Sequence, residues 1–180
     1  TRLAKVWDSA VEQTKADVLQ ARALLENYVL GSLTVGVLVL TAAVDVQANR
    51  LELMVIGWGV GMERWVVDHQ VIPGDPADDR TWALLDERLK VRYRHPCGVG
   101  LGILATGIDS GGHHTHEVYQ FCRVRRWRNI FAIKGASKPG RPVIAQRPSL
   151  VDVTWKGQTE RHGAELWMIG TDTAKDWIYN

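Results

Sequence analysis

The sequence predicts an α/β protein. Its expected core is one mixed sheet, in which an antiparallel three-strand meander joins parallel strands and helices flank the faces. Three observations carry that expectation. Three runs rich in β-branched and apolar residues between positions 37 and 72 are separated by only a few residues each, which antiparallel neighbours require. Beyond position 78, helix-like and strand-like runs alternate, the pattern of crossover connections between parallel strands. The chain has 180 residues, 46% hydrophobic and 23% charged, enough for one ordinary domain with a buried core.

The elements follow in order. Residues 3 to 28 contain no Gly or Pro and are rich in Ala, Leu, Glu and Gln, which predicts a helix. Its apolar register is imperfect, so residues 1–32 read as a linker helix and 33–180 as the domain proper. "VLVLTAAVDVQ" (37–47) is nearly all apolar and β-branched, as expected of a strand buried on both faces. "ANR" is a tight turn, "LELMVIGWG" a second strand, "VGME" another turn and "RWVVDHQVI" a third strand. "PGDPADD" breaks the pattern. "DDRTWALLDERLKVRY" then predicts an amphipathic helix capped by Asp78 or Asp79, with Trp82, Leu85 and Leu89 on one face. "GVGLGILATGID" is a fourth strand. "HTHEVYQFCRVRR" is a short helix with basic residues in its last turn, where the dipole favours them. "NIFAIKG" is a fifth strand. Residues 137 to 164 read as a long mobile loop, "AELWMIG" as a strand and "DTAKDWIY" as the start of a helix. A meander followed by two crossover units is a ribonuclease H-like arrangement.

Several function classes are excluded or weakened. Cys97 and Cys122 form no C-x-x-C pair, so neither a disulfide framework nor a cysteine-rich zinc site is expected. The longest apolar run is interrupted by Gly, Ser and Thr and meets Asp45 at once, so it is not read as a membrane span. No signal peptide opens the chain. There is no G-x-x-x-x-G-K-[ST] motif, hence no P-loop. A net charge of +2 is too small to argue for nucleic acid by itself. The chain opens on Thr1 and stops in mid-pattern at Asn180, as expected of a fragment of something longer.

Three carboxylates fall where the pattern should bury or converge them. Asp45 lies in the most apolar strand, Asp109 ends the fourth strand, and Asp172 opens the last helix. Crowded carboxylates repel, and buried charge must be paired or bind metal. Carboxylate and water ligands favour Mg²⁺ or Mn²⁺, and two such ions can assist an in-line phosphoryl displacement. Asp45, Asp109 and Asp172 are therefore the candidate metal ligands and catalytic acids. Ordinary readings compete: Asp172 as a helix cap, Asp109 as an Asx turn. His113, His114 and His116 start a helix but lack the spacing of a zinc site. Arg123, Arg125, Arg126 and Arg128 surround Trp127, and Lys134, Lys138, Arg141 and Arg147 follow. A positive segment beside an acidic site suits a phosphodiester substrate; its plain alternative is a solvated face. Lys134 ends the fifth strand and is a candidate contact to the scissile phosphate. With Lys138, Arg141 and Arg126 it makes up the candidate DNA-binding set.

"LTAAVDVQANRLELMVIGWG", "ERWVVDHQVIPGDP", "IDSGGHHT", "FAIKGASKPGRPV" and "IGTDTAKDWIY" together resemble the nuclease portion of the phage terminase large subunit of the GpA type, found in lambda-like phages and prophages. The resemblance runs from about Trp7 to the end. It implies a ribonuclease H-like endonuclease that cuts concatemeric double-stranded DNA with two Mg²⁺ or Mn²⁺ ions, in the host cytoplasm. It also implies an N-terminal packaging ATPase that these 180 residues do not contain, and a terminase small subunit and a portal or procapsid as partners. The family's acids map onto Asp45, Asp109 and Asp172, with Asp176 as a substitute for the last, and its "IKG" lysine is Lys134. A resolvase- or transposase-type nuclease, or a non-catalytic DNA-binding or packaging module, remains the alternative.

Overall fold

The computed structural model describes residues 16–26 and 28–179. Helix α1 (Ala16–Ala23) precedes the sheet. It carries part of the helix expected over 3–28; residues 3–15 and 27 of that expectation lie outside the described residues. Val18, Leu24 and Leu25 are exposed, whereas Leu33 and Val37 already belong to the core.

The meander forms as its short turns demand. β1 (Val39–Val46), β2 (Arg50–Trp58) and β3 (Arg64–Pro73) pair antiparallel in succession. Helix α2 (Asp79–Leu89) follows, and Asp78 is its cap: its Oδ1 accepts from the Arg80 N–H at 2.9 Å. Trp82, Leu85 and Leu89 are buried on one face, as the periodicity requires. The helix ends earlier than the sequence suggests. Arg92–Arg94 instead form a short strand β4 against the start of β5 (Gly100–Asp109). There Tyr93 is buried and its hydroxyl donates to Asp68 Oδ2 at 2.9 Å, so pairing and burial win over helix propensity. Helix α3 (Thr115–Arg123) leads through a 3₁₀ turn at Arg126–Arg128 to β6 (Ile130–Gly135).

The region expected to be one long loop is half sheet. β7 (Ser149–Trp155) and β8 (Gln158–Ile169) form an antiparallel hairpin. Lys156 and Gly157 close it with φ of 48° and 79°. Two left-handed residues make the primed turn that matches strand twist, and Lys-Gly supplies one of them without strain. Only residues 136–148 remain irregular before β7. Helix α4 (Thr171–Tyr179) ends the described chain.

The full strand order is β3-β2-β1-β5-β6-β8-β7, with β1, β5, β6 and β8 mutually parallel. This mixed sheet, helices on its faces, is compatible with a ribonuclease H-like fold. Leu40 and Val44 of β1, Leu51, Leu53 and Val55 of β2 and Ile108 of β5 pack under α2 and α3 as one core. The rings of Trp82 and Phe121 meet at 5.0 Å and join the two helices. Each such buried aliphatic side chain contributes roughly 1.5–3 kcal/mol. β1 is not buried on both faces. Its alternate residues Ala43 and Asp45 are exposed, because the sheet is covered unequally and the face they share stays open at that end.

Candidate active site

Parallel strands bring their C-terminal ends to one edge of a sheet. Here β1, β5, β6 and β8 all end there, so Asp45, Asp109, Lys134 and Asp172 arrive at the same rim from distant parts of the sequence. Topology alone does this, and it is the edge where α/β sheets place ligands.

Asp45 and Asp109 are brought side by side. The β1–β5 register runs to Val44 against Ile108, and each aspartate is the next residue. Both point to the face opposite the core, since Val44 and Ile108 are buried. Adjacent strands are about 4.8 Å apart, so the two carboxylates are near neighbours. Asp45 is exposed and accepts from the Gln47 side-chain amide. Asp109 is half-buried, and its Oδ1 accepts from the Gly111 N–H at 2.9 Å. That is the Asx turn the Ser-Gly-Gly sequence allows, and it leaves Oδ2 and further lone pairs for another ligand.

A third acid joins the row that sequence reading overlooked. Glu52 of β2 is the cross-strand partner of Asp45 and shares its face. Arg50 Nε donates to Glu52 Oε1 at 2.7 Å, and His69 Nε2 stands 3.8 Å from Oε2. The Arg50 hydrogen bond, above all, holds the Glu52 carboxyl below its usual range. The signal was in the hairpin: a turn as short as "QAN" sets Asp45 opposite Glu52 once Val46 pairs with Leu51.

Asp172 stands apart from this pair. It follows β8, two strand spacings or roughly 10 Å of sheet beyond the strand of Asp109. Its Oδ2 accepts from the Gly140 N–H at 2.7 Å. That bond, then the Thr173 N–H, holds its carboxyl below the usual range. Asp176 lies one turn further along α4 and has its own interaction partner. Among the described residues, no three His, Cys, Asp or Glu side chains stand close enough together to hold a metal ion. The donors that do meet, Asp45 and Asp109, are hard oxygen ligands on an open rim. That set fits a cation that keeps waters and takes one or two protein carboxylates.

Of the three histidines, His116 is engaged within the fold. His114 precedes α3 without a side-chain cap. His116 Nδ1 accepts from the Thr154 N–H at 3.2 Å, and its ring meets Tyr119 edge-on.

The basic candidates divide. Alternation along β6 puts Lys134 on the core-side face, level with its partner Met168 and away from the face of Asp45 and Asp109. Met168, Lys138 and Arg141 line one cleft of about 490 Å³. Arg126 lies elsewhere. Its 3₁₀ turn precedes β6, at the opposite edge of the sheet from the acids. Its Nη2 pairs with Glu165 at 2.8 Å, and Arg123 pairs with Glu160. Arg125 and Arg128 each reach Asp86 at 2.6 Å, with Lys90 at 2.7 Å on its other oxygen. Burial alone would raise the Asp86 carboxyl, but the bonds from Arg125, Lys90 and Arg128 outweigh it and hold it well below the usual range. The arginine run thus clamps α2 and β8 rather than presenting a free positive face.

No described helix is long and apolar enough to cross a membrane. No solved structure matches the chain. The whole chain, residues 1–180, matches the family model described as terminase large subunit gpA, endonuclease domain. It is 33% identical over 181 residues to the terminase large subunit of Escherichia phage lambda, covering 100% of this chain and 26% of that protein. It is 32% identical to the terminase large subunit of Enterobacteria phage P21, covering 99% and 26%. The chain therefore spans about a quarter of the length of these curated relatives. With a full-length family match and an acidic rim built from two neighbouring strands, the chain belongs to the family of the terminase large subunit gpA endonuclease domain.

Proposed function

We propose that this domain is a divalent-metal-dependent endonuclease that hydrolyses phosphodiester bonds of double-stranded DNA, and that it cuts concatemers for genome packaging. The observation that carries the reading is the parallel register setting Asp45 beside Asp109 on an open rim. Asp45 and Asp109 would hold the metal, with Mg²⁺ and Mn²⁺ the best match to carboxylate and water ligands. One or two such ions would lower the pKa of bound water and neutralise charge at the attacking and leaving oxygens. Asp45, between Asp109 and Glu52, is the acid placed to be shared. Gln47 and the Gly111 N–H orient the two carboxylates and fix which oxygens stay free. Lys138 and Arg141 would hold the DNA backbone, with Lys134 at the same rim. In a packaging complex the domain would act with an ATPase region, a terminase small subunit and a portal, in the host cytoplasm. These partners are proposed from membership of the terminase large subunit family.

The test is nicking and linearisation of supercoiled plasmid in Mn²⁺, Mg²⁺ or EDTA, with wild type and Asp45→Asn. Cutting is expected only with metal. The substitution should reduce it at least about a hundredfold, because several kcal/mol of transition-state charge stabilisation are lost. Duplex binding in EDTA should persist. Cutting in EDTA, or full cutting by Asp45→Asn, would refute the assignment.

A further inference from the structure

We infer that Asp172 is a positioning residue for DNA binding, whose carboxylate fastens the basic loop 136–146 to the start of α4, rather than a metal ligand. The inference rests on the nuclease reading and concerns how the basic loop at the same sheet edge grips the substrate that the carboxylates cut.

The loop makes bonds along its length to the end of β8 and the first turn of α4. The Ala136 N–H donates to Ile169 O at 2.7 Å, and the Gly170 N–H to Pro142 O at 3.1 Å. The Ala145 N–H donates to Met168 O at 3.0 Å. Two side chains complete the attachment. Asp172 Oδ2 takes the Gly140 N–H, and Thr173 Oγ1 donates to Arg141 O at 2.6 Å. Position 170 must be glycine for this approach, because a Cβ there would collide with the carbonyl oxygens of Arg141 and Pro142.

Lys138 and Arg141 flank the very residue that Asp172 holds, and both line the cleft with Ser137, Pro142 and Gln146. Loop residues 137–144 are exposed, so little burial orders them. Gly140 has a φ of 72° and no neighbour within 4 Å of a Cβ position, so the turn itself is not braced by packing. The carboxylate bond is therefore a main constraint on where the two cations sit. It is charge-assisted, and such bonds are about twice as strong as neutral ones. A metal ion at Asp172 would compete for the oxygen that already accepts from Gly140.

Asp172→Ala, Asp172→Asn and Gly170→Ala would be compared with wild type in the full chain. Amide exchange measures the loop directly. In Asp172→Ala, exchange at Gly140 and across 137–143 should accelerate by about tenfold or more, with the strand amides unchanged. Asp172→Asn keeps one acceptor oxygen and should fall between. Binding of a 20-base-pair duplex is read by fluorescence anisotropy without divalent metal. Asp172→Ala should weaken it by about tenfold and flatten the salt dependence by up to about two phosphate contacts. Gly170→Ala should do the same while leaving Asp172 intact. Mn²⁺ affinity, from titration calorimetry, should stay within about twofold. Unchanged exchange at Gly140 would overturn the inference. So would a tenfold loss of Mn²⁺ affinity with duplex binding intact, which would make Asp172 a metal ligand. Failure of the wild type to bind duplex would instead refute the nuclease reading, and the exchange comparison would still decide what Asp172 holds.

Discussion

Replacing Asp45 with Asn should make the metal-free domain more stable while removing its cutting. The reasoning is electrostatic. Asp45 and Asp109 follow the last register pair of two adjacent strands, so their backbones are about 5 Å apart and their carboxylates leave the sheet on the same face. Two unit charges at that distance repel by about 0.8 kcal/mol in bulk water and about 3 kcal/mol at an effective dielectric of 20. Asp45 is exposed and Asp109 half-buried, so a value near 1 kcal/mol applies. Glu52 adds little to this sum, because Arg50 pairs with its charge. Asparagine keeps the shape and one acceptor for Gln47. Melting in EDTA at low ionic strength should therefore rise by about 2–4 °C. In 1 M salt, where the screening length is about 3 Å, the gain should nearly vanish. Wild type should gain stability on adding Mn²⁺ as the ion binds the folded state, and the variant should lose most of that gain. A variant less stable than wild type in EDTA would refute the argument, because Asp45 would then be a structural residue. An unchanged Mn²⁺ response would place the metal elsewhere.

Other outcomes follow from the same contacts. Asp86→Ala leaves Arg125, Arg128 and Lys90 without their shared acceptor in a partly buried network, and should cost about 2 kcal/mol in urea unfolding. Because the folded Asp86 carboxyl sits well below its ordinary value of 3.8, its contribution is present above that pH. It fades as pH falls from there through the folded value, so Asp86→Asn should show a flatter acid limb. Gly157→Ala places a Cβ in a left-handed turn with open space around it, so only backbone strain counts. It should cost about 1 kcal/mol and lower the melting point by about 2–4 °C. Arg126→Ala should leave duplex affinity and its salt slope unchanged, because Arg126 pairs with Glu165 on the far edge; a slope reduced by about one would restore it to the DNA surface.

Much of the architecture could be read from local pattern. The meander, the cap at Asp78 and the buried stripe of Trp82, Leu85 and Leu89 all follow from periodicity and turn length, which act over a few residues. The hairpin at Lys156–Gly157 was missed because its turn chemistry lies in a stretch that opens with Pro, Gly and Arg, and those residues suggest a loop throughout. Of the site, Asp45 was legible as an acid within the most apolar strand and Asp109 as an acid at a strand end. Glu52 was not, because a Glu on a half-exposed strand is ordinary until the register sets it opposite Asp45.

Local pattern carried most of the strands and helices, though not β4 or β7, together with the kind of acid at the rim and the family resemblance. Propensity, periodicity and residue identity are local properties. Tertiary structure alone decided which of those groups meet. Strand order put Asp45 beside Asp109 and left Asp172 two strands away on the loop's carbonyls and amides. Long-range pairing also turned an apparently free arginine run into clamps on Asp86 and Glu165. Charge is written in the sequence, but whether it is spent on a partner inside the protein depends on contacts between residues 37 to 42 positions apart, which no local pattern records.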